Sequence, residues 1–589
     1  MITENGVAES TTRHPSSIAP LAVRRTMMEE STLGAGSFLD HALALNPNRN
    51  QPFLFRHFTD QRGRVVLRGF SLVDLAAIRN RYARWYWANG VRPGEPVGVY
   101  VAEGCEPLFH YLALTALGAI PALINDAMPI ATTRRYLDHI GAVGLVCDDP
   151  TPMVAIYRTA SNRSDGSFRP RFIVPTAELH AYDPAAGDLP SPYPYKHAAD
   201  EVVGLIHSSG TTGAPKSTML GHRQFWVGKE SRMLRFPAEP YDRLMCLMPH
   251  SHAGGLSYFM TATLLGLPMV AMSDWRRVVV EPVMREFRPT MVASFPRSFV
   301  ELATGDAPTE AAALVHTWFN TGDSAHFAHI RRLIQLGKRP AGLIKPWLLP
   351  QDNAEEMCLP GSQFIDGLGS SEMGMALFGH VTTPETPRND RCVGKPVAVV
   401  ESAAVLDETG HELPDGAAGL LAVRTPTRTP GYWNDSQMTK RFELAGYWLT
   451  GDIARRDAEG RFFHLDRTVD VIDTSAGPVY SLPIEEVLLA DRADVIIDCS
   501  VIGLPFANGY GQRPIATVRL QPGIEEPSGD ALLQKLNTAL AEAGLTLLAA
   551  IFIARSDADF PTGVTGKALK REQRTRLVNL LSEPAGSTS

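Results

Sequence analysis

The sequence predicts an α/β protein with a large N-terminal domain of α/β sheets, a small β-barrel-like subdomain and a small α+β C-terminal domain. The first supporting observation is an alternation of helical apolar spacing and short apolar strands from Gly36 to Asp149. For example, SLVDLAAIRNRYARWYWANGV precedes the strand PVGVYV. The alternation resumes at EVVGLI (201–206) and continues to about Thr382, as expected for sheets of mainly parallel strands.

Two further observations define the smaller units. Residues from Cys392 to Phe463 are rich in glycine and turn residues, which predicts the short strands of the barrel-like subdomain. After Asp466 the pattern changes to a compact α+β unit that ends near Lys570. Met1 to Thr32 is rich in Ser, Thr and charge and predicts a disordered lead.

Composition excludes several classes of protein. The chain has 589 residues, a formal net charge of -7 and no long Lys/Arg run, which argues against a nucleic-acid-binding surface. The six cysteines are scattered singly without a CxxC pair, which disfavours a disulfide framework or a thiolate zinc site. The longest apolar run, 259–272, is interrupted by Pro268 and predicts a buried core segment, not a membrane span. A cytoplasmic protein is expected.

The stretch HSSGTTGAPKS (207–217) follows a predicted strand directly. Backbone amides of a glycine-rich loop, together with hydroxyls and a lysine, form a cradle for phosphate. A surface loop with helix-capping hydroxyls is the simpler alternative. A Walker A loop is excluded because Ala214 and Pro215 separate Gly213 from Lys216. The GxGxxG dinucleotide fingerprint is absent as well.

The stretch resembles the signature loop of the adenylate-forming superfamily, which includes acyl-CoA synthetases, luciferases and peptide-synthetase adenylation domains. The family residues kept here are Ser208, Ser209, Gly210, Thr211, Thr212, Gly213, Pro215 and Lys216. Four more segments resemble family motifs in the family order: PHSHAGG (249–255), DGLGSSEMG (366–374), GYWLTGDIARRDAEGRFFHLDR (446–467) and PTGVTGKALKR (561–571). Five motifs in the family order make a chance resemblance negligible.

The resemblance implies that a carboxylic acid reacts with ATP to give an acyl-adenylate and pyrophosphate. Both reactants are anions, so catalysis depends on positioning and charge neutralisation. It also implies that the loop from Ser208 to Lys216 holds the β- and γ-phosphates. Glu372 would bind Mg²⁺, a cation that prefers carboxylate and phosphate oxygens, and Ser371 would donate to phosphate.

The same resemblance assigns the remaining site residues. Asp452 would accept from the ribose hydroxyls, and Arg467 would add a ribose or phosphate contact. Lys567 would bridge the carboxylate and the α-phosphate in the transition state. The AMP segment would comprise Gly367, Leu368, Gly369, Ser370 and Ser371. For His252, a gate or pocket role and a core role remain equally open.

The acid pocket is expected to be hydrophobic or aromatic. Leu368 stands where the family places an aromatic residue against adenine, and DGLGSSEM is closest to aryl-acid CoA ligases. Three segments are expected to line the pocket: WFNTGDSAH (318–326), SFPRS (294–298) and the residues after Glu372. An amino-acid substrate is not indicated, since these segments place no clear charge there.

The resemblance also implies a mobile C-terminal lid. The predicted units are a lead at 1–32, an N-terminal adenylation domain at 33–465, a hinge at 466–470, a lid domain at 471–575 and a flexible tail at 576–589. The hinge position is Val469, where Asp or Lys is usual in the family. In the segment that follows, Pro483 replaces the first acid and Glu485 keeps the second.

These departures leave the acyl acceptor open. The coenzyme A thiol ranks first, direct transfer to an amine ranks close behind, and a separate carrier protein is a further possibility. An inactive nucleotide-binding relative is the rival from another class, and it is disfavoured because Lys216, Glu372, Asp452 and Lys567 are all kept. The expected partners are therefore a small carboxylic acid and its acceptor, with the protein a monomer or homodimer.

Overall fold

The computed structural model describes residues 16–160, 169–183, 185, 187–208, 215–236, 238–303, 312–322, 325–340, 358–387, 391–505, 511–563 and 566–582. These residues form a mixed α/β structure with two large sheets and a smaller α+β unit, which confirms the predicted fold class.

The helices of the described residues alternate with strands through the first half of the chain and are sparser afterwards. They are α1 Leu21–Glu29, α2 Phe38–Leu45, α3 Leu72–Ala88, α4 Cys105–Ala116, α5 Ile130–Ile140, α6 Thr151–Ala160, α7 Thr176–Ala181, α8 His222–Val227, α9 Glu230–Arg235, α10 Ala253–Leu265, α11 Arg277–Phe287, α12 Pro296–Ala303, α13 Phe327–Ile334, α14 Ser436–Arg441, α15 Ser481–Asp491, α16 Gly529–Glu542 and α17 Lys570–Ser582.

The strands are short in the first half and longer in the antiparallel second half. They are β1 Leu54–Thr59, β2 Val65–Phe70, β3 Pro96–Tyr100, β4 Ile120–Leu123, β5 Gly144–Cys147, β6 Phe172–Pro175, β7 Val202–Ser208, β8 Lys216–Gly221, β9 Leu244–Cys246, β10 Met269–Ala271, β11 Met291–Ser294, β12 Thr317–Thr321, β13 Lys338–Pro340, β14 Cys358–Pro360, β15 Gln363–Gly369, β16 Ala376–Thr382, β17 Cys392–Pro396, β18 Ser402–Leu406, β19 Ala418–Arg424, β20 Glu443–Leu444, β21 Tyr447–Arg456, β22 Phe462–Arg467, β23 Ile472–Thr474, β24 Gly477–Val479, β25 Ile496–Pro505, β26 Gln512–Leu520 and β27 Ala550–Ala554.

Two sheets with parallel centres carry the first part of the chain. The six-stranded sheet has the order β6-β5-β3-β4-β7-β8, and only the β7–β8 pair is antiparallel. The 14-stranded sheet has a parallel centre formed by β1, β10, β9, β11, β12 and β15. Because the strands of each centre run the same way, their carboxyl ends meet at one edge, where ligands bind in open α/β sheets.

The largest hydrophobic cluster joins α2, α3, α4 and α10 to strands of both sheets. Helix α10 is buried along almost its whole length, and β10 is buried as well. The apolar run 259–272 is therefore a core segment, as its interruption by Pro268 predicted. In the described part of the chain, no helix combines the length and the apolarity that crossing a bilayer requires.

The strands predicted as a barrel-like subdomain continue the 14-stranded sheet through antiparallel pairs, in the order β18-β19-β21-β22-β17-β16. They enclose a cluster of their own around Phe378, Leu421, Trp448 and Phe462. Within the described residues, their pairing path stays open and leads into β15.

The C-terminal unit consists of a three-stranded sheet, β25-β26-β27, packed against α15 and α16. Its core includes Ile484, Val501, Val518 and Leu536. The chain from 576, predicted as a flexible tail, instead begins inside α17, because Leu577 is buried against the sheet. Residues 583–589 of the predicted tail lie outside the described residues.

The predicted disordered lead also needs correction over residues 16–32, which include helix α1. Arg24 and Met27 are buried there, and the Arg24 guanidinium donates to the carbonyl oxygens of Ala19 at 3.0 Å and Ala238 at 2.9 Å. The contact with Ala238 joins residues 214 positions apart, so composition cannot reveal it. Residues 1–15 lie outside the described residues.

Arg24→Ala is expected to lower the free energy of unfolding by about 2 kcal/mol, because two buried carbonyls lose a charged donor. The midpoint of thermal unfolding, followed by calorimetry, measures this. Arg25→Ala is the matched control, since the neighbouring Arg25 is exposed. Equal midpoints for the two variants would contradict a docked α1.

Candidate functional site

A cavity of about 220 Å³ opens at the carboxyl ends of the parallel strands. It is lined by residues from the segments that follow β4, β9, β11, β12 and β15, and by Arg467 and Lys567 from the second half of the chain. Its lining includes three cations, Lys216, Arg467 and Lys567, and among the described lining residues Glu372 is the one carboxylate. This excess of positive charge suits an anionic ligand.

The phosphate-loop prediction can be followed only at its two ends. Ser208 closes β7 and pairs with Lys216, the first residue of β8. Ser209, Gly210, Thr211, Thr212 and Gly213 lie outside the described residues. Lys216 lines the cavity, and its ammonium lies 4.5 Å from the Phe442 ring centroid and 5.4 Å from that of Tyr432. Burial lowers the pKa of Lys216, partly offset by the nearby Glu372 carboxylate.

The DGLGSSEMG segment forms the wall next to Lys216. It leaves β15 through Gly369 and turns through a short 3-10 helix, Ser371–Met373. Gly367, Gly369, Ser370, Ser371 and Glu372 line the cavity. Gly369 is required for the close approach of two strands, since a Cβ there would lie 2.3 Å from the Met375 carbonyl oxygen.

Leu368 stands at the position that the motif places against adenine. It is buried in the cluster around Phe378 and is not among the residues that line the cavity. The reason is strand geometry: side chains alternate between the two faces of β15, so when Gly367 and Gly369 face the cavity, Leu368 faces the core.

A tyrosine positions the Glu372 carboxylate. The Tyr432 hydroxyl donates to Glu372 Oε1 at 2.9 Å. Among the described residues, no group of three or more His, Cys, Asp and Glu side chains could enclose a metal ion. A cation at Glu372 would therefore share its coordination with ligand oxygens, which fits Mg²⁺ bound by one carboxylate and by phosphates.

Asp452 lies deep in the adjoining antiparallel strands. Its Cα pairs with that of Arg467 across β21 and β22. Asp452 Oδ1 lies 3.3 Å from Arg467 Nε and 3.4 Å from His464 Nε2. Burial raises the pKa of the Asp452 carboxyl, but Arg467 and His464 outweigh it and lower that pKa to about 2. The site therefore keeps a carboxylate at neutral pH, able to accept from hydroxyl groups.

Lys567 reaches the cavity from the C-terminal unit. Its segment closes a tight turn in which the Gly563 N–H donates to the Lys567 carbonyl at 2.8 Å. Gly566 has φ +73°, and a Cβ there would lie 2.2 Å from Arg297 Cβ. Lys567 also lowers the pKa of His252, although burial contributes more. The lysine and the histidine therefore share one end of the site.

The C-terminal unit is seated on α12 and α13 by several polar contacts. Arg297 Nη1 lies 3.1 Å from Asp498 Oδ2. His326 Nδ1 lies 2.8 Å from Glu486 Oε2, and His329 Nε2 lies 2.8 Å from the Ile497 carbonyl oxygen. These contacts hold the unit in the position that brings Lys567 to the cavity.

Glu485, the acid kept in the altered motif, is buried at the same junction. It forms an ion pair with Lys570 at 2.8 Å and accepts from the Val501 N–H at 2.7 Å. Burial raises its pKa, but Lys570 and His326 outweigh that and lower it to about 2. The predicted hinge residue Val469 is 51% exposed.

Part of the cavity wall is aromatic. Phe295, Phe319 and Tyr258 line it, and the Phe319 ring stacks on Phe236 with centroids 5.5 Å apart. Phe295 and Phe319 come from the two segments predicted to line the acid pocket, whereas Trp318 faces the opposite side and donates to Ser362. An aryl ring would fit between such walls.

Four polar residues of the cavity region lay outside the predicted site. Asn125, His207 and Ser251 line the cavity, and Glu103 lies behind Ser251. His207 belongs to the phosphate-loop stretch and Ser251 to PHSHAGG, so their motifs could have indicated them. Glu103, a single acid in a loop after β3, carries no signal in the sequence.

Comparisons with known proteins agree with this geometry. The family model described as AMP-binding enzyme matches residues 59–433. The 3-aminoavenalumate diazotase of a Streptomyces species is 34% identical over 571 residues, which cover 94% of this chain and 97% of that protein. The 3-hydroxybenzoate–CoA ligase of Aromatoleum sp. (strain CIB) is 25% identical over 533 residues, covering 87% and 92%.

A solved structure shows the same fold. The anthranilate CoA ligase AuaEII in complex with anthranoyl-AMP superposes with a TM-score of 0.73 at 18% identity. The match covers 93% of this chain and 97% of that chain. The large sheets and the small C-terminal unit thus recur together in a protein of different sequence.

Proposed function

Given that the chain belongs to the AMP-binding enzyme family and is an AMP-forming acid ligase, we propose that it adenylates an oxyacid and transfers the activated group to the nitrogen of an amino-substituted aryl acid. This is the chemistry of a diazotase. The observation that carries the proposal is 34% identity, over 94% of the chain, to a protein named for that activity.

The first step joins nitrite to AMP. A nitrite oxygen attacks the α-phosphate of ATP, pyrophosphate leaves, and a nitrosyl-adenylate forms. We assign Lys567, Lys216 and the 208–216 loop to neutralising the charge that accumulates on the phosphates. Asp452 and Arg467 orient the ribose. Mg²⁺ at Glu372, when bound, supplies further neutralisation of phosphate charge.

The second step forms the nitrogen–nitrogen bond. The amine nitrogen attacks the nitrosyl nitrogen, AMP leaves, and the amine loses one proton to give an N-nitrosamine. Proton uptake and loss of water then give the diazonium ion. The aromatic walls formed by Phe295, Phe319 and Tyr258 support this assignment, because they can hold the ring beside the adenylate.

A second candidate keeps the aryl carboxylate as the adenylated acid and coenzyme A as the acceptor. The likeness to a 3-hydroxybenzoate–CoA ligase over 87% of the chain favours it. In a variant of this candidate, the acyl group is transferred to a separate amine and an amide forms instead of a thioester. The altered hinge, with Val469 and Pro483, counts against transfer to the thiol. The higher identity to the diazotase ranks both reactions behind the diazotase reaction.

The test is ATP–pyrophosphate exchange with nitrite alone, with 3-aminobenzoate alone and with both. We expect exchange to require nitrite, and the full reaction to release AMP together with a diazonium product that azo coupling captures. With ¹⁵N-nitrite, mass spectrometry of the dye should show one added mass unit. Exchange supported by the aryl acid without nitrite would replace this proposal with the carboxylate-activating candidate.

A further inference from the structure

Two histidines line the cavity, His207 and His252, and each uses one ring nitrogen to accept a backbone hydrogen bond. His252 Nδ1 accepts from the Gly254 N–H, and His207 Nε2 accepts from the Asn125 N–H, both at 3.0 Å. A backbone N–H can only donate, so the accepting ring nitrogen carries no proton and the other nitrogen carries it. Burial lowers the pKa of both imidazoles to about 4, so they are neutral at physiological pH.

These histidines therefore cannot act as the base of the transfer step. An amine or thiol that attacks an adenylate must lose its proton as the new bond forms, and a positioned base accelerates that step. The lone pair of each histidine is already engaged by a backbone amide. Glu372, the carboxylate among the described lining residues, is assigned to the cation. A different acceptor of the proton is needed.

Glu103 lies directly behind the cavity wall. It follows β3, at the carboxyl edge of the six-stranded sheet. Its Oε2 accepts from the His250 N–H at 2.6 Å and the Ser251 N–H at 3.1 Å. Its Oε1 accepts from Asn125 Nδ2 at 3.0 Å and from the Ser251 hydroxyl. Ser251 is buried and lines the cavity, so one hydroxyl connects this carboxylate to the reaction space.

We propose that Ser251 and Glu103 form a proton relay for the transfer step. The attacking nitrogen passes its proton to Ser251 Oγ, Ser251 passes its own proton to Glu103, and the N–N bond forms as AMP leaves. Ser251 is the residue that touches the nucleophile, and Glu103 acts through it. The inference rests on the proposed transfer to nitrogen, and a thiol acceptor would need the same proton removal.

The electrostatics of Glu103 suit this task. Burial raises its pKa, the donors on Ser251 and His250 oppose this, and Asp126 adds to the rise, so the pKa lies at about 7. The titratable groups that face it are the exposed Asp126 carboxylate and the buried Cys246 thiol, whose own pKa is raised. A carboxylate with a pKa near the working pH is an efficient base.

A purely structural role for Glu103 would be to anchor the turn at 249–252. Glu103→Gln separates the two roles, because an amide oxygen can still accept from the backbone N–H groups but cannot take up a proton. Asp126→Asn is the second probe. It removes a charge that raises the pKa of Glu103 and keeps an oxygen that can accept from the Glu103 N–H, now bonded to Asp126 Oδ2 at 3.3 Å.

The experiment compares adenylate formation, measured by pyrophosphate exchange, with single-turnover transfer in the full-length enzyme. The probes are nitrite and 3-aminobenzoate. If exchange follows the carboxylate instead, 3-hydroxybenzoate and coenzyme A replace them. We expect Ser251→Ala and Glu103→Gln to slow transfer about 100-fold. The same variants should slow exchange about tenfold or less. The acid that supports exchange, nitrite or the aryl carboxylate, tests the proposed function. The ratio of the transfer rate to the exchange rate tests the relay.

The pH profile gives a readout that an anchoring role would not move. Wild-type transfer should rise with pH through about 7 as Glu103 ionises, since only the carboxylate accepts a proton. This rise of the transfer rate with pH should vanish in Glu103→Gln and shift to lower pH in Asp126→Asn. The relay is overturned if Ser251→Ala and Glu103→Gln slow exchange and transfer by the same factor. It is also overturned if the transfer rate of Glu103→Gln still rises through about pH 7. Thermal unfolding of each variant confirms that it is folded.

Discussion

Lys567→Ala should lower acid-dependent ATP–pyrophosphate exchange by about 10³-fold. Lys567 lines the cavity together with Lys216 and Arg467, and it lies close enough to His252 to lower the pKa of that imidazole. The ATP dissociation constant should stay within about tenfold of the wild-type value, because the lost contact stabilises the transition state more than the ground state. Exchange kinetics and calorimetric titration with ATP measure the two quantities.

The control for this variant is Lys535→Ala. Lys535 is exposed on α16 of the same C-terminal unit, so its removal changes the net charge equally without touching the cavity. Exchange by this variant should match wild type. Wild-type exchange by Lys567→Ala would contradict the role assigned to Lys567. If ATP affinity fell by the same factor as exchange, Lys567 would contact ATP equally in the ground state.

Gly566→Ala should lower exchange by about 100-fold, the scale expected when a catalytic group is displaced by about 1 Å. Its Cβ would lie 2.2 Å from Arg297 Cβ and 2.8 Å from Arg297 Cγ, so the Lys567 turn cannot seat as it does now. Its φ of +73° adds a backbone cost of about 1 kcal/mol for any residue with a Cβ.

Gly544→Ala separates these two effects. Gly544 also lies in the C-terminal unit and has φ +69°, but no atom lies within 4 Å of an added Cβ. This variant should show the stability cost, followed by thermal unfolding, while exchange stays near the wild-type rate. If both glycine variants lost exchange equally, backbone strain would explain the loss and contact with Arg297 would not.

The candidate site shows how far sequence reasoning reaches. Glu372, Asp452 and Lys567 were predicted from motifs far apart in the chain. The structure brings Glu372 and Lys567 to the wall of one cavity and places Asp452 beside Arg467, which lines it. Their assignments to adenylation stay predictions until the variants are measured. Leu368 shows the limit, because one position along a strand reverses the face on which a side chain lies.

The α/β fold class, the family and the order of the motifs can be predicted from the sequence, because periodicity and short motifs are local properties of a chain. Which residues meet is visible only in the folded structure. The α1 helix is held by a carbonyl more than 200 positions away, and Glu103 meets Ser251 across 148 positions. Such contacts arise from packing between distant segments, and the burial that tunes their chemistry exists only once the chain has folded.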